Sequence, residues 1–417
     1  MLFPRPTGST PPARVVITGV GIITSLGCGW KQNADGFRSG RRAFRGVTLF
    51  DVSRHRTKIA AEADIPTDVP LRKLHARAAH RLDRASKLLL TAADEAVQQS
   101  KIDFGAASLH KTPIVLGTTS GGMGMGESYY RTAIDNPLVK AKQATRILQY
   151  LAQTQIAELA EALGIAGQTI SIANACASGS NAVGHAFEMV RDGRADVVVT
   201  GGYDALCEMV FTGFDSLQAL SQTQCRPFDS TRDGLALGEG AAVFIFESAE
   251  HAKARCAKVI GEIVGYGAAT DCHHLTQPQP EGNAALASMT AACKSAGLSP
   301  EQIGYINAHG TGTPLNDSAE ANAISRWAGE VAPKIHVSST KASIGHLLGA
   351  AGAVETAICL MALQGQWLPP MTSTQTADAA CKFSLVLKPT DAPLEYALSN
   401  SFGFGGANAS VIFRRAE

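Results

Sequence analysis

The chain has 417 residues, 45% of them apolar, which is ordinary for a globular protein and enough for a large core and more than one domain. Its 37 Lys and Arg against 36 Asp and Glu leave a formal charge of +1, so overall charge argues for neither nucleic acid nor an acidic partner. Nine cysteines lie scattered without metal-ligand or redox-motif spacing, the pattern of reduced thiols in a reducing compartment.

Residues 1–12 hold Pro, Gly, Ser and Thr but no apolar leader core, so a flexible tail is expected and a signal peptide is not. Residues 14–24 (RVVITGVGIIT) are a β-branched run ending at a Gly-rich corner, the pattern of a buried strand. Residues 81–99 place Leu82, Leu88, Leu89, Ala92 and Ala96 on one helical face. Further strands are predicted at 113–117, 169–173 and 196–200, with a helix over 177–191 between the last two. Strands alternating with helices, apolar throughout, predict parallel strands covered on both faces. After Glu247 the chain turns charged (ESAEHAKARCAK) and restarts at residue 259, so a boundary near 257 divides it into 13–257 and 258–417. The second half repeats the style of the first. Strand 303–307 opens into a Gly/Thr loop, strand 335–338 into an apolar helix, and residues 399–413 form a Gly-rich turn and a strand. The longest apolar stretch, 347–363, is rich in Ala and Gly and interrupted by Glu355 and Thr356; it reads as a buried helix, not a membrane span. A soluble, cytoplasmic protein is expected.

Four segments carry chemistry. In Asn174-Ala175-Cys176-Ala177-Ser178-Gly179-Ser180 an apolar strand runs into Cys176 and small residues follow into a helix. The thiol then sits at a helix N-terminus, where free N–H groups favour thiolate and can hold an oxyanion. In Asn307-Ala308-His309-Gly310-Thr311-Gly312-Thr313-Pro314 a histidine ends an apolar strand between residues that let a ligand approach the backbone. Lys341 and His346 flank a turn into an apolar helix, and a lysine there needs a counter-charge, for which Glu320 is the candidate. Phe402 and Phe404 between glycines in Ser401-Phe402-Gly403-Phe404-Gly405-Gly406 suggest a strained turn or a gate. No P-loop is present, nor a GxGxxG in Rossmann context, so nucleotide binding is discounted. Cys272-His273-His274 lacks a second ligand pair and reads as a polar loop, not a zinc site.

In this order the four segments resemble the elongating β-ketoacyl-acyl-carrier-protein synthases of fatty acid synthesis and their polyketide relatives, over residues 14–413. The resemblance implies a thiolase-like α/β fold, duplicated and stacked as five αβαβα layers, in a dimer. It implies that Cys176 takes an acyl chain from acyl carrier protein, and that His309 and His346 assist decarboxylation of the malonyl group and steady the enolate. Lys341, with Glu320 as its partner, would hold the electrostatics around the histidines. The N–H groups of Cys176 and Phe404 would form the oxyanion hole, and Thr311 and Thr313 would face the pantetheine arm. Phe404, with Phe402 nearby, would gate the acyl pocket beside a second loop from Asp271 to Thr276. Acyl transfer needs a nucleophile and an oxyanion hole, and two imidazoles donating to the thioester oxygen lower the barrier to CO2 loss, so no metal or redox cofactor is implied.

Two alternatives are a thiolase, which needs a second cysteine near the C-terminal turn where this chain reads FGFGGAN, and a non-catalytic chain-length-factor-like subunit, which lacks the nucleophile. The implied partners are acyl- and malonyl-loaded carrier, with a second copy or a related subunit completing the dimer; neither nucleic acid nor membrane is implied. Basic residues crowd positions 72–87, and the resemblance makes Arg77, His80 and Arg81 the carrier-docking positions. Ser120 stands where elongating enzymes often carry a bulky pocket residue, Gln218 where some carry an arginine, and Tyr203-Asp204 is unusual. Ser120 is therefore expected to deepen the acyl pocket, and the departures suggest a specialised polyene or polyketide pathway.

Overall fold

The computed structural model describes residues 12–70, 72–136 and 148–416. The expected tail at 1–12 lies outside them except for its last residue, and the side chain of Arg77 also lies outside the description.

The first half contributes strands β1 (Val15–Thr24), β2 (Ile114–Gly117), β3 (Thr169–Ile172), β4 (Val197–Asp204) and β5 (Gly240–Ser248). The helices that layer against its strands are α1 (Arg84–Ser100), α2 (Ala152–Leu163) and α3 (Ser178–Arg191). The second half contributes β6 (Gly261–Thr270), β7 (Ile303–Asn307), β8 (His336–Ser338), β9 (Tyr396–Phe402) and β10 (Ala407–Arg415), with α4 (Asn283–Ala296), α5 (Pro314–Ala328) and α6 (Ala351–Gly365). Strand order is β3-β2-β4-β5-β1 in one half and β8-β7-β9-β10-β6 in the other. These are the same topology, with α1, α2 and α3 in the same connections as α4, α5 and α6, so the repeat legible as a style is a structural duplication. β1 and β6 pair antiparallel, Val16 opposite Glu262, and join the halves into one sheet.

The strands are not all parallel, as the alternation had predicted. β2 runs parallel to β3 and β4, and β7 to β8 and β9, but β5 is antiparallel to β1 and β4, and β10 to β6 and β9. The connection from β9 to β10 is a short turn, and that from β4 to β5 is longer and holds a helix at Glu208–Ser216, but in both the chain returns antiparallel beside the strand it has left. α1 and α2 cover one outer face with Leu88, Leu89, Ile156 and Leu159, and α4 and α5 cover the other with Met289, Ala292, Ala323 and Ile324. α3 and α6 pack between the halves, and α6 is buried from Ala351 to Leu363. The segment Leu348–Gly365 is long and apolar enough to cross a bilayer, yet 89% of it is buried in the protein as the central core helix.

The duplication extends to packing. A Cβ at Gly19 or Gly21 of β1 would lie 2.1 or 1.8 Å from a carbonyl of α1, and one at Gly265 or Gly267 of β6 would lie 2.4 or 2.3 Å from a carbonyl of α4. Only glycine lets each helix sit that close to its strand. α1 itself begins later than the apolar spacing suggested, because Asp83 caps it by accepting from Ser86 N–H at 2.6 Å.

Candidate active site

The two central helices start near each other, and the turns that enter them carry the chemistry. β3 ends at Ile172, Ala175 takes φ +55°, and a single 3-10 turn, Ala175–Ala177, leads into α3. A non-glycine residue with left-handed backbone is strained. Ser178 holds the elbow shut: its hydroxyl donates to Ala175 O at 2.6 Å and accepts from Asn174 N–H at 2.9 Å. Cys176 is thereby fixed at the mouth of α3, only 6% exposed. Burial pushes its thiol up to about 12, while Lys341 and the N–H groups of Phe404 and Cys176 itself pull the other way. The thiolate expected from the helix N-terminus is thus outweighed by desolvation in the free enzyme.

His309 follows β7 and is held through its main chain. The N–H groups of His309 and Gly310 donate to Glu320 at 2.9 and 2.7 Å, and the Asn400 amide donates to the same carboxylate at 3.2 Å. Burial raises Glu320 to about 7 against these donors. The expected Lys341–Glu320 pair is not formed: Lys341 Nζ is bound to Glu355 of α6. A carboxylate alone in an apolar helix was the signal for this pairing, since burial without a counter-charge is costly.

His346 lies in the turn that enters α6, as Cys176 lies in the turn that enters α3. Leu348 N–H donates to its Nδ1 at 3.1 Å, which leaves the proton of the neutral ring on Nε2. The rings of His309 and His346 meet edge to face, centroids 5.3 Å apart. Burial, with the nearby charge of Lys341, holds both imidazoles well below their usual range, so both are neutral near pH 7.

Cys176, His309 and His346 line one cavity of about 490 Å³ with Thr311, Thr313, Phe402, Phe404, Asp271 and Thr276. The hydroxyls of Thr311 and Thr313 are 2.8 Å apart at its wall. The two loops expected to gate it are latched together: Gly405 N–H donates to Leu275 O at 2.7 Å and Asp271 N–H to Gly406 O at 2.8 Å. Phe404 stacks on Phe214, centroids 5.7 Å apart, a partner sequence reading had not singled out. Gln218 also lines the cavity.

Other expected residues lie elsewhere. Ser120 is not on the cavity wall; its hydroxyl donates to Asp204 at 2.7 Å, and it serves the turn after β2. His80 and Arg81 are exposed ahead of α1. Cys272, His273 and His274 are exposed, and among the described residues no group of three or more His, Cys, Asp or Glu is arranged to hold a metal ion.

Residues 13–252 match the family described as beta-ketoacyl synthase, N-terminal domain, and residues 260–375 match beta-ketoacyl synthase, C-terminal domain. The chain belongs to the beta-ketoacyl synthase family. It is 35% identical to 3-oxoacyl-[acyl-carrier-protein] synthase 2 of Staphylococcus aureus (strain COL), over 97% of this chain and 99% of the relative. Among solved structures it is similar to the ishigamide ketosynthase/chain length factor, with TM-score 0.91 and 29% identity over 97% of this chain and 100% of that one. It is also similar to a ketosynthase solved as AntDE:AntF, a type II PKS acyl-carrier protein in complex with its ketosynthase bound to the hexaketide, with TM-score 0.86 and 26% identity over 97% and 100%. The fold is therefore the thiolase-like one expected, and this β-ketoacyl synthase is an acyltransferase. A thiolase is not favoured, since the turn at 402–406 carries no second cysteine, nor is a chain-length-factor-like subunit, since the cavity keeps its thiol.

Proposed function

We propose that the chain condenses an acyl group held on Cys176 with malonyl-carrier, giving 3-oxoacyl-carrier and CO2. The observation that carries this reading is the single cavity lined by one thiol and two neutral imidazoles. Cys176 attacks the acyl thioester, the N–H groups of Cys176 and Phe404 receive the oxyanion, and the thiol proton passes to the departing carrier sulfur. Thr311 and Thr313 face the incoming pantetheine arm. Loss of CO2 from the malonyl thioester builds negative charge on its oxygen. His346, donating from Nε2, and His309 stabilise that enolate as neutral donors. The enolate carbon attacks the acyl carbonyl, the S–C bond to Cys176 breaks, and the thiolate takes up a proton. Lys341, balanced by Glu355, supplies positive charge near all three groups.

The carrier docks at Arg77, His80 and Arg81. The enzyme acts in the cytoplasm as a dimer with a second copy or a related subunit, each chain divided at about residue 257. Two features favour the dimer: β3 is an edge strand, and Tyr130, Met209 and Ile134 are apolar side chains 67%, 63% and 59% exposed. The likeness to polyketide ketosynthases favours a specialised polyketide or polyene pathway.

Purified protein offered a panel of acyl-carriers should gain one acyl mass on Cys176 and release 3-oxoacyl-carrier when malonyl-carrier is added. Cys176→Ala should lose both while keeping some decarboxylation. An acyl adduct in that variant would overturn the assignment.

A further inference from the structure

Asp204 ends β4 with its side chain fully buried and accepts from six donors. The two carboxylate oxygens divide these unequally. Oδ1 takes Thr118 Oγ1, Ser120 N–H, Ser120 Oγ and Gly121 N–H, all from the turn after β2. Oδ2 takes one donor from each half of the duplicated fold: Thr119 N–H at 2.8 Å and Gly349 N–H at 2.6 Å. Each leads into the site. The Thr119 hydroxyl donates to Ala175 O at 3.1 Å, which ties down the strained elbow before Cys176. Gly349 follows Leu348, whose N–H sets the tautomer of His346. The approach is close enough to demand glycine: a Cβ on Gly349 would lie 2.5 Å from the Thr119 nitrogen and 2.8 Å from Asp204 Oδ2.

From this we infer that Asp204 is a positioning residue for the condensation, its Oδ2 joining the Cys176 elbow to the His346 turn and holding the His346 proton on Nε2. The inference rests on the roles proposed above for Cys176 and His346. An amide cannot replace this carboxylate. In either orientation its NH2 group faces N–H or O–H donors where an acceptor is needed, and a buried donor left unpaired is costly.

Nitrogen-15 histidine NMR of the wild-type protein should find the His346 proton on Nε2; a proton on Nδ1 would overturn the inference without any variant. Asp204→Asn should give a mixed His346 tautomer and lose roughly 10²-fold in kcat for malonyl-carrier decarboxylation, with KM unchanged, as expected for a misplaced catalytic group. Thr118→Val removes a donor to Oδ1 and an acceptor for Gly121 N–H but leaves both donors to Oδ2, and should keep the wild-type His346 signal. A folded Asp204→Asn protein with wild-type tautomer and kcat, or a Thr118→Val protein whose tautomer shifts equally, would overturn the inference. His346→Ala tests the underlying reading separately. If it retains decarboxylation, the role given to His346 fails; if it loses it while Asp204→Asn does not, the role given to Asp204 fails.

Discussion

Lys341 and Glu355 form an ion pair sealed inside the protein, their side chains 2% and 3% exposed. Breaking such a pair strands one charge without water or partner. Glu355→Gln should therefore lower unfolding stability by about 3–5 kcal/mol, read from urea denaturation, and reduce condensation. Replacing both residues, Lys341→Met with Glu355→Leu, should recover most of the stability and none of the activity. Activity returning with stability would show that the pair is only structural.

Phe404 stacks on Phe214, and on the proposal that Phe404 gates the acyl pocket this contact holds the gate closed. Aromatic pairs contribute about 0.5–1.5 kcal/mol, so Phe214→Ala should raise the open population by roughly 2- to 10-fold. Hydrolysis of acyl-Cys176, followed by mass, should quicken by a similar factor. An unchanged hydrolysis rate would mean that the latches to Leu275 and Asp271 alone hold the loop.

Ser120→Phe should not act as a chain-length filter. The Ser120 hydroxyl is bound to Asp204 and the residue stands away from the cavity wall. The phenyl ring would disrupt the turn at 118–121, so turnover of short and long acyl donors should fall together. Loss of the long donors alone would restore the pocket role expected from sequence.

Carrier docking at the exposed His80 and Arg81 predicts a salt-sensitive effect. Arg81→Glu should raise KM for acyl-carrier at low ionic strength, and the difference from wild type should shrink as salt screens the contact. A small thioester substrate, which needs no carrier contact, should be processed at the wild-type rate by the same variant.

Glu158 gives a pH test outside the site. Burial raises its carboxyl to about 7, with Asp83 and Glu161 adding and the Ser86 hydroxyl opposing. A carboxyl with a folded pKa above its unfolded value destabilises the fold once it ionises, so stability falls as pH rises from about 4.5 through 7. Glu158→Gln should be more stable than wild type at pH 8, on the order of 1–2 kcal/mol with the Ser86 bond retained, and should lose that advantage at pH 4. An equal difference at both pH values would exclude titration of Glu158 as its cause.

The strands at 303–307 and 169–173, the helix after Cys176 and the buried helix before Leu363 were legible because apolar period and length are local properties. Strand direction was not. β5 and β10 are as apolar as their parallel neighbours, and what makes them antiparallel is that the chain turns back to pair with the strand it has just left. In the site, Cys176, His309, His346 and the Phe402–Phe404 turn could be picked out because each breaks a strand exit with glycines or small residues. Their partners could not. Glu320 is eleven residues from His309 and binds its main chain, while Glu355 reaches Lys341 from the next helix.

The sequence by itself determined the α/β class and the family, and it picked out Cys176, His309 and His346 as the candidate residues, since these reside in short runs whose residue types are specific to the chemistry. Only the tertiary structure decided which carboxylate neutralises Lys341, that burial pushes the Cys176 thiol up, and that Ser120 bonds Asp204. Each of these depends on burial and on contacts between segments far apart in the chain, and local pattern carries no information about either.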